Sequence, residues 1–362
     1  MNTTDHSLWQ DLLQAGVVTG SPPLDTSTQS PWYVRVMLGV AGWIAAIFIL
    51  GFIAVGLEFI IKDTSISIAA GSIFIAGAYT VFKKVHNDFA EQFALALSLA
   101  GQALILFGVM DFFKWNASTP WFIAAVLQAV IAILMPNSIQ RMLAGYLCCI
   151  TLHAAFAILG APSIIPTVTG VAAALLWLNE FYWYRSHHFS SIGLITRPIA
   201  YGITIALLQL KGQILFANNI FLSLHSHGQN YSFVPPWVTE LTSGMLLVVV
   251  VGILMYRNGQ SLYSRRMNIV LLLTGAIAAV SLEAPGIATG LVIILIGFAN
   301  CNRILFGLGI SALLFYISAY YYNLQVTLLT KSGILAATGI VLLLARWVVS
   351  QWVFAAEENR DE

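Results

Sequence analysis

Continuous apolar runs fill most of this 362-residue chain and restrict its fold more than any other feature. A helix needs about 20 apolar residues to cross a hydrocarbon core of about 30 Å. The runs lack the alternating segments of roughly ten residues that are typical of a membrane barrel, so we predict α-helices. The predicted spans, about twelve in all, cover residues 35–59, 65–82, 89–110, 120–136, 139–160, 163–184, 192–210, 236–256, 267–282, 285–300, 303–323 and 329–352.

The composition indicates the same fold class, an all-α integral membrane protein. Hydrophobic residues make up 59% of the chain and charged residues 9%, whereas soluble domains carry about 25% charged residues. So few charges cannot cover a protein of this size in water, and lipid must therefore face most of its surface. Lys and Arg number 16 and Asp and Glu 15, which leaves no basic excess of the kind that nucleic-acid binding requires.

The basic residues predict how the spans are oriented. Twelve spans place both termini on one side of the membrane, and the opposite, outer side receives only Lys62, Lys114, Lys211 and Lys331. The other basic residues fall on the side of the termini: Arg35, Lys83, Lys84, Arg141, Arg185, Arg197, Arg257, Arg265, Arg266, Arg303, Arg346 and Arg360. The positive-inside rule then predicts that both termini are cytoplasmic.

Three regions follow one another along the chain. Residues 1–30 contain a short amphipathic helix with leucines on one face, which we expect to lie on the membrane or on the protein's own inner surface, and then a linker rich in proline and hydroxyl residues. Residues 31–354 form the transmembrane domain. Residues 355–362 form a charged cytoplasmic tail.

Two stretches of the chain resemble a known family. Residues 283–349 read EAPGIATGLVIILIGFANCNRILFGLGISALLFYISAYYYNLQVTLLTKSGILAATGIVLLLARWVV, and the first span reads PWYVRVMLGVAGWIAAIFILGF. Both resemble the bacterial membrane family known as domain of unknown function 4401, and the opening LWQDLLQAGVV is similar to the start of the related family 2157. The resemblance implies a multi-pass protein of the bacterial inner membrane. It also implies a partner, a membrane-anchored protein named after a GDYxxLxxG motif, and no particular activity or cofactor.

A single carboxylate in a tight link is the first candidate site residue. Glu283 is the only charged residue between Arg266 and Arg303, and it lies in the link SLEAPG between two short spans. Because both spans are short, the link can lie below the outer surface, with Glu283 pointing into an outward-facing cleft. The alternative is a turn residue whose carboxylate caps the helix that follows.

Other polar groups fall near the same end of the later spans. Lys331 either marks the surface or lies deeper, where it needs an acid partner, and Glu283 and Glu240 are the candidates. Tyr316 and Tyr320 are four residues apart and therefore share a helical face. These residues complete the predicted polar cleft, while for the tyrosines an interfacial aromatic belt is the alternative.

Further polar groups lie inside predicted spans. His153 falls near the middle of the membrane with Cys149 one turn earlier, a pair that could bind metal or haem. Because further ligands are missing, a buried neutral histidine is the favoured interpretation, and we predict neither a metal nor a cofactor. Glu180 is predicted at an interface, and Arg346 is expected to reach the inner headgroups with its long side chain.

Three functions from different classes remain open. The preferred one is a transporter or permease-like bundle with an outward-facing polar cleft, although a bundle of twelve spans supports this by analogy alone. The second is a non-catalytic membrane partner or scaffold of an envelope complex, which fits the absence of nucleotide-binding and protease motifs. The third, an intramembrane enzyme acting on lipid, lacks a visible nucleophile or metal site. The oligomeric state is left open.

Overall fold

The computed structural model describes residues 63–85, 88–113, 117–180, 190–216, 236–260, 264–282 and 284–323, with scattered positions in 13–52 and 329–343. These residues form long α-helices and contain no strand. In chain order the helices are α1 (Thr64–Lys84), α2 (Asp88–Phe113), α3 (Thr119–Leu134), α4 (Ser138–Ile158), α5 (Ile164–Leu178), α6 (Ser190–Phe216), α7 (Pro236–Arg257), α8 (Arg265–Val280), α9 (Ile287–Ala299) and α10 (Arg303–Asn323).

Each predicted span from the second to the eleventh coincides with one of these helices. Six of them, α1, α2, α4, α6, α7 and α10, contain segments long and apolar enough to cross a membrane, whereas α3, α5 and α9 are shorter apolar helices. The chain is therefore a helical membrane protein. Most boundaries agree with prediction to within about three residues, but α5 ends at Leu178 instead of 184 and α6 continues to Phe216 instead of 210. The first and last predicted spans, the amphipathic segment and the tail lie largely outside the described residues.

Local sequence signals set several helix ends. The side chains of Asp63, Asn137 and Ser264 accept hydrogen bonds from backbone N–H groups in the first turns of α1, α4 and α8, as N-cap residues do. Gly160 and Gly259 follow α4 and α7 with φ of 79° and 78°, the left-handed conformation that ends many helices. Polar and glycine residues between the apolar runs thus define where these helices start and stop.

The chain divides into two compact units, one up to Gly108 and one from Val109. In the first unit, α1 and the adjoining part of α2 approach closely through small residues. A Cβ at Gly71 would lie only 2.5 Å from the carbonyl oxygen of Gly101. Such close backbone approach through glycine is a common basis of helix packing in membranes.

The second unit is built around α5, α6, α7 and α9, which share one apolar core. Helix α4 packs on α6 and on α3, α8 packs on α7, and α10 packs on α9. Where α4 and α6 cross, a Cβ at Gly202 would lie 2.1 Å from the carbonyl oxygen of Met142, so the two backbones touch. The core side chains come from all four central helices: Ala173, Trp177, Leu207, Leu247, Val250, Val292 and Ile296.

Candidate functional site

The centre of the candidate site is an ion pair between two buried side chains. Lys211 Nζ, near the C-terminal end of α6, lies 2.8 Å from Glu240 Oε1 in the second turn of α7. The Lys211 side chain is 0% exposed and that of Glu240 is 4% exposed. The Lys211 ammonium also donates a hydrogen bond to the Thr239 carbonyl at 3.1 Å. Because removing ions from water costs several kcal/mol each, a pair this deep must be held by good geometry.

The start of α9 holds the second oxygen of the same carboxylate. The N–H of Gly286 donates to Glu240 Oε2 at 3.2 Å. Gly286 is the N-cap residue of α9 and has a φ of 89°, which favours glycine. A Cβ at this position would also lie 2.8 Å from the ring of Tyr316. The positive end of the α9 dipole therefore faces the Glu240 carboxylate.

The ring of Tyr316 on α10 packs against Gly286. Its side chain is almost fully buried, and its hydroxyl donates to the Leu208 carbonyl, one turn before Lys211 on α6, at 2.8 Å. Tyr320, one turn further along α10, is partly exposed. The structure thus brings two of the candidate residues from the sequence, Glu240 and Tyr316, next to Gly286.

Two residues of the predicted cleft are not placed, and neither is the separately predicted Arg346. Glu283, Lys331 and Arg346 lie outside the described residues. The link that contains Glu283 is described on both sides of it, where Ser281 and Ala284 are buried. The link is therefore mixed in its described part, since Leu282, next to Glu283, is exposed while Ser281 and Ala284 are buried.

The predicted position of Lys211 at the outer surface is wrong, because its side chain is fully buried. The error follows from ending the seventh span at residue 210, whereas α6 continues to Phe216. Lys211 comes 14 residues after Arg197, a rise of about 21 Å along a helix, which is less than the hydrocarbon thickness of about 30 Å. That spacing is the signal that could have identified Lys211. The buried Lys211 also gives Glu240 a partner other than the predicted Lys331.

A second ion pair lies near the other end of α6. Glu180, just beyond the end of α5, places Oε1 at 3.2 Å from Arg197 Nε and accepts a hydrogen bond at Oε2 from Asn300 Nδ2 at 3.2 Å. Burial raises the pKa of Glu180, while the charge of Arg197 and the bond from Asn300 oppose that rise. The Arg197 side chain is 48% exposed, so this pair is far more accessible than the Lys211–Glu240 pair.

His153 on α4 lies outside the contacts that define the buried ion pair. Its Nδ1 atom is buried and has no hydrogen-bond partner in the described part of the chain, and Cys149 one turn earlier is also buried. Among the described residues, no group of three or more His, Cys, Asp or Glu side chains is arranged to hold a metal ion. His153 and Cys149 therefore lack the further ligands that a metal centre needs.

The geometry can be compared with known proteins. A family model described as Domain of unknown function (DUF4401) matches residues 31–352. The match includes every helix named above and all residues of the ion-pair site, and it begins after the opening segment of residues 1–30. No curated protein and no solved structure matches the chain.

Proposed function

The chain belongs to the family described as Domain of unknown function (DUF4401), and from that membrane fold and its buried ion pair we propose that it is a transporter of the permease type. The proposal includes about twelve spans, cytoplasmic termini and a place in a bacterial inner membrane. The Lys211–Glu240 pair is its charged site, and Gly286 and Tyr316 shape the surroundings of that pair. Glu283, Lys331 and Tyr320 belong to the same proposed cleft.

The observation that carries the proposal is the depth of the ion pair. Replacing a buried ion pair by apolar residues of similar volume is often neutral or stabilising by about 1–4 kcal/mol. A bundle that only has to pack in lipid therefore gains little from Lys211 and Glu240. Ionisable side chains inside membrane spans typically line substrate or ion pathways, and this supports a role in moving a charge or a polar solute.

The helices around the pair support the same role. Helices α8 and α9 have 16 and 13 residues, so they rise about 24 Å and about 20 Å, less than the hydrocarbon thickness. Ser281 and Ala284 of their link are buried, and the start of α9 donates to Glu240. Interrupted helices whose positive ends face anionic groups are frequent at transport sites.

A reconstitution experiment tests the proposal. Purified protein in proteoliposomes is studied by solid-supported-membrane electrophysiology at constant pH, with a panel of amino acids, sugars, organic acids and inorganic salts. We expect a current with at least one solute for the wild type and none for Lys211→Met/Glu240→Gln. This double variant removes both charges and retains an acceptor for the Gly286 N–H. Tyr146→Phe, which removes a hydrogen bond to Gln209, serves as the control and should retain the current.

Two results would count against the proposal. The first is a wild-type response equal to that of protein-free vesicles for every solute in the panel. The second is a wild-type current that the double variant reproduces in full, because the buried charges would then have no part in it. Circular dichroism and gel filtration of each variant establish that the compared proteins are folded.

One surface feature favours the scaffold role as a second candidate. A groove of about 360 Å³ runs between α7 and α8, and a Cβ added at Gly275 would meet no atom within 4 Å. Small residues let a second membrane helix approach closely, so the groove suits a helix of the GDYxxLxxG-type neighbour. The groove is lined by apolar and small residues: Leu241, Gly244, Met245, Val248, Val249, Gly275, Ala278, Ala279 and Leu282.

Co-purification of that neighbour tests the scaffold role. Gly275→Leu fills the groove, and Gly307→Leu, at another glycine where a Cβ meets nothing within 4 Å, is the matched control on α10. We expect the neighbour to co-purify with the wild type and with Gly307→Leu and to be lost with Gly275→Leu. Equal recovery with both variants, or no recovery with the wild type, would contradict this candidate.

A further inference from the structure

One face of α6 carries polar contacts from end to end. Arg197, Tyr201, Thr204, Leu208 and Lys211 are spaced by four, three, four and three residues, so they share one side of the helix. Each of these residues makes a polar contact with another helix or with residues just beyond the end of another helix. Leu208 does so through its backbone carbonyl, and the other four through their side chains. The face begins at the exposed ion pair of Arg197 and ends at the buried ion pair of Lys211.

Two hydroxyl groups lie between the ion pairs. The Tyr201 hydroxyl donates to Asn302 Oδ1 at 2.9 Å. The Thr204 hydroxyl accepts from Trp177 Nε1 at 2.9 Å and donates to the Ala200 carbonyl at 2.7 Å. Beyond them, the Tyr316 hydroxyl bonds to α6 one turn before Lys211. Hydroxyl groups both donate and accept hydrogen bonds, so each can pass on a proton.

We propose that this face of α6 is a proton route between the Glu180–Arg197 pair and the Lys211–Glu240 pair, and that the proton is the coupling ion of the transport. This inference rests on the proposed function and names its ion. The two pairs are about 21 Å apart along the helix axis. Successive polar groups on the face are too far apart for direct transfer, so water molecules complete the chain between them.

The ligands of Glu240 favour a proton over a metal cation. Both carboxylate oxygens already accept from N–H donors, and the Lys211 ammonium lies 2.8 Å away. A metal ion prefers several free oxygen ligands, and it would be repelled by the ammonium at short range. A proton needs only one oxygen lone pair and no coordination shell.

The proton balance of the cycle is simple. The Glu240 carboxylate takes up one proton and becomes a carboxylic acid, while Lys211 stays an ammonium, so the site gains one positive charge. Release of that proton toward the other side restores the neutral ion pair, and no other reactant is consumed. Among the described residues, the titratable groups that face Glu240 are Lys211 from α6 and Tyr316 from α10, while α5 and α9 contribute none.

Proton entry into proteoliposomes tests the inference. The vesicles contain a trapped pH-sensitive dye, a potassium gradient with valinomycin makes the lumen negative, and the solute panel is present on both sides. We expect the wild type to acidify the lumen faster than protein-free vesicles. Thr204→Val and Tyr201→Phe, which remove hydroxyls from the route, should fall to the protein-free rate, whereas Thr204→Ser should retain the wild-type rate. Tyr146→Phe removes a hydroxyl of α4 that bonds to Gln209 on α6, outside the proposed route. This variant should also retain the wild-type rate.

The possible failures can be told apart. If the wild type carries a solute but admits no protons, and its solute current ignores a pH gradient, the proton inference is wrong while the permease proposal stands. If protons enter and Thr204→Val and Tyr201→Phe match the wild type, the route is wrong. If neither solutes nor protons cross, both proposals fail. The serine variant separates loss of the hydroxyl from a general disturbance of packing.

Discussion

Removing one partner of the buried ion pair should destabilise the protein far more than removing both charges. Lys211→Met leaves the Glu240 carboxylate buried without a counter-ion, and Glu240→Gln does the same to the Lys211 ammonium. In the double variant no charge remains at the site. Its glutamine retains an oxygen that can accept from the Gly286 N–H, which the structure bonds to Glu240 Oε2, so no backbone donor is left unpaired.

The burial of the pair sets the expected magnitude. The two side chains are 0% and 4% exposed, so solvent cannot screen a charge left behind. Breaking a buried pair in this way costs about 3–5 kcal/mol, which changes the unfolding equilibrium by a factor of roughly a hundred to several thousand. The double variant is expected to be at least as stable as the wild type. The free energy of unfolding of the double variant should therefore exceed that of either single variant by about 3 kcal/mol or more.

A double-mutant cycle measures this coupling. The wild type, the two single variants and the double variant are unfolded reversibly in bicelles, with tryptophan fluorescence and helical circular dichroism as readouts. A matched cycle at the Glu180–Arg197 pair is the comparison, because the side chains of Glu180 and Arg197 are 12% and 48% exposed, so solvent screens these charges more and their coupling should be smaller than that of the buried pair. Two results would refute the reasoning. The first is a loss of less than about 1 kcal/mol in the free energy of unfolding of each single variant at the buried pair. The second is a double variant whose loss equals the sum of the losses of the two single variants.

Three further predictions concern packing and hydrogen bonding. Gly286→Ala should lower the free energy of unfolding by about 1–2 kcal/mol because of its left-handed backbone and by about 1–3 kcal/mol because of overpacking against a tyrosine ring. Its thermal midpoint should therefore fall well below that of Gly307→Ala, and equal midpoints would contradict this. Gly202→Ala should abolish the folded species in gel filtration, because its Cβ would meet a backbone carbonyl of α4 at 2.1 Å; a normal elution profile would refute the close contact. Trp177→Phe should lower the free energy of unfolding by about 1 kcal/mol through loss of its bond to Thr204, and a denaturant titration that shows no loss would rule out that bond.

The helices were predictable because their causes are local. A window of about 20 residues contains enough apolar surface to define a membrane helix, and the predicted spans from the second to the eleventh each coincide with a helix. Side chains such as Asp63 and Asn137 cap helices through bonds to residues two and three positions later. Such contacts depend on nearby residues alone, so they can be recognised in the sequence.

The site was predictable only in part. Glu240 and Tyr316 are candidates because polar groups are costly in lipid, and the structure places both next to Gly286. Lys211 was assigned to the surface because a lysine after an apolar run usually ends a span. The spacing from Arg197 indicates that Lys211 lies below the surface, but not which group makes its burial tolerable, since that group lies on α7, 29 residues away.

The sequence by itself determined that lipid surrounds most of this protein and where most of its helices lie, because apolar content and capping are properties of short segments. Only the tertiary structure decided which charges meet. The Lys211–Glu240 pair depends on how α6 and α7 both pack on α5, and the placement of Gly286 depends on how α9 packs on α10. Contacts of this kind depend on which helix faces come together, and no single segment carries that information.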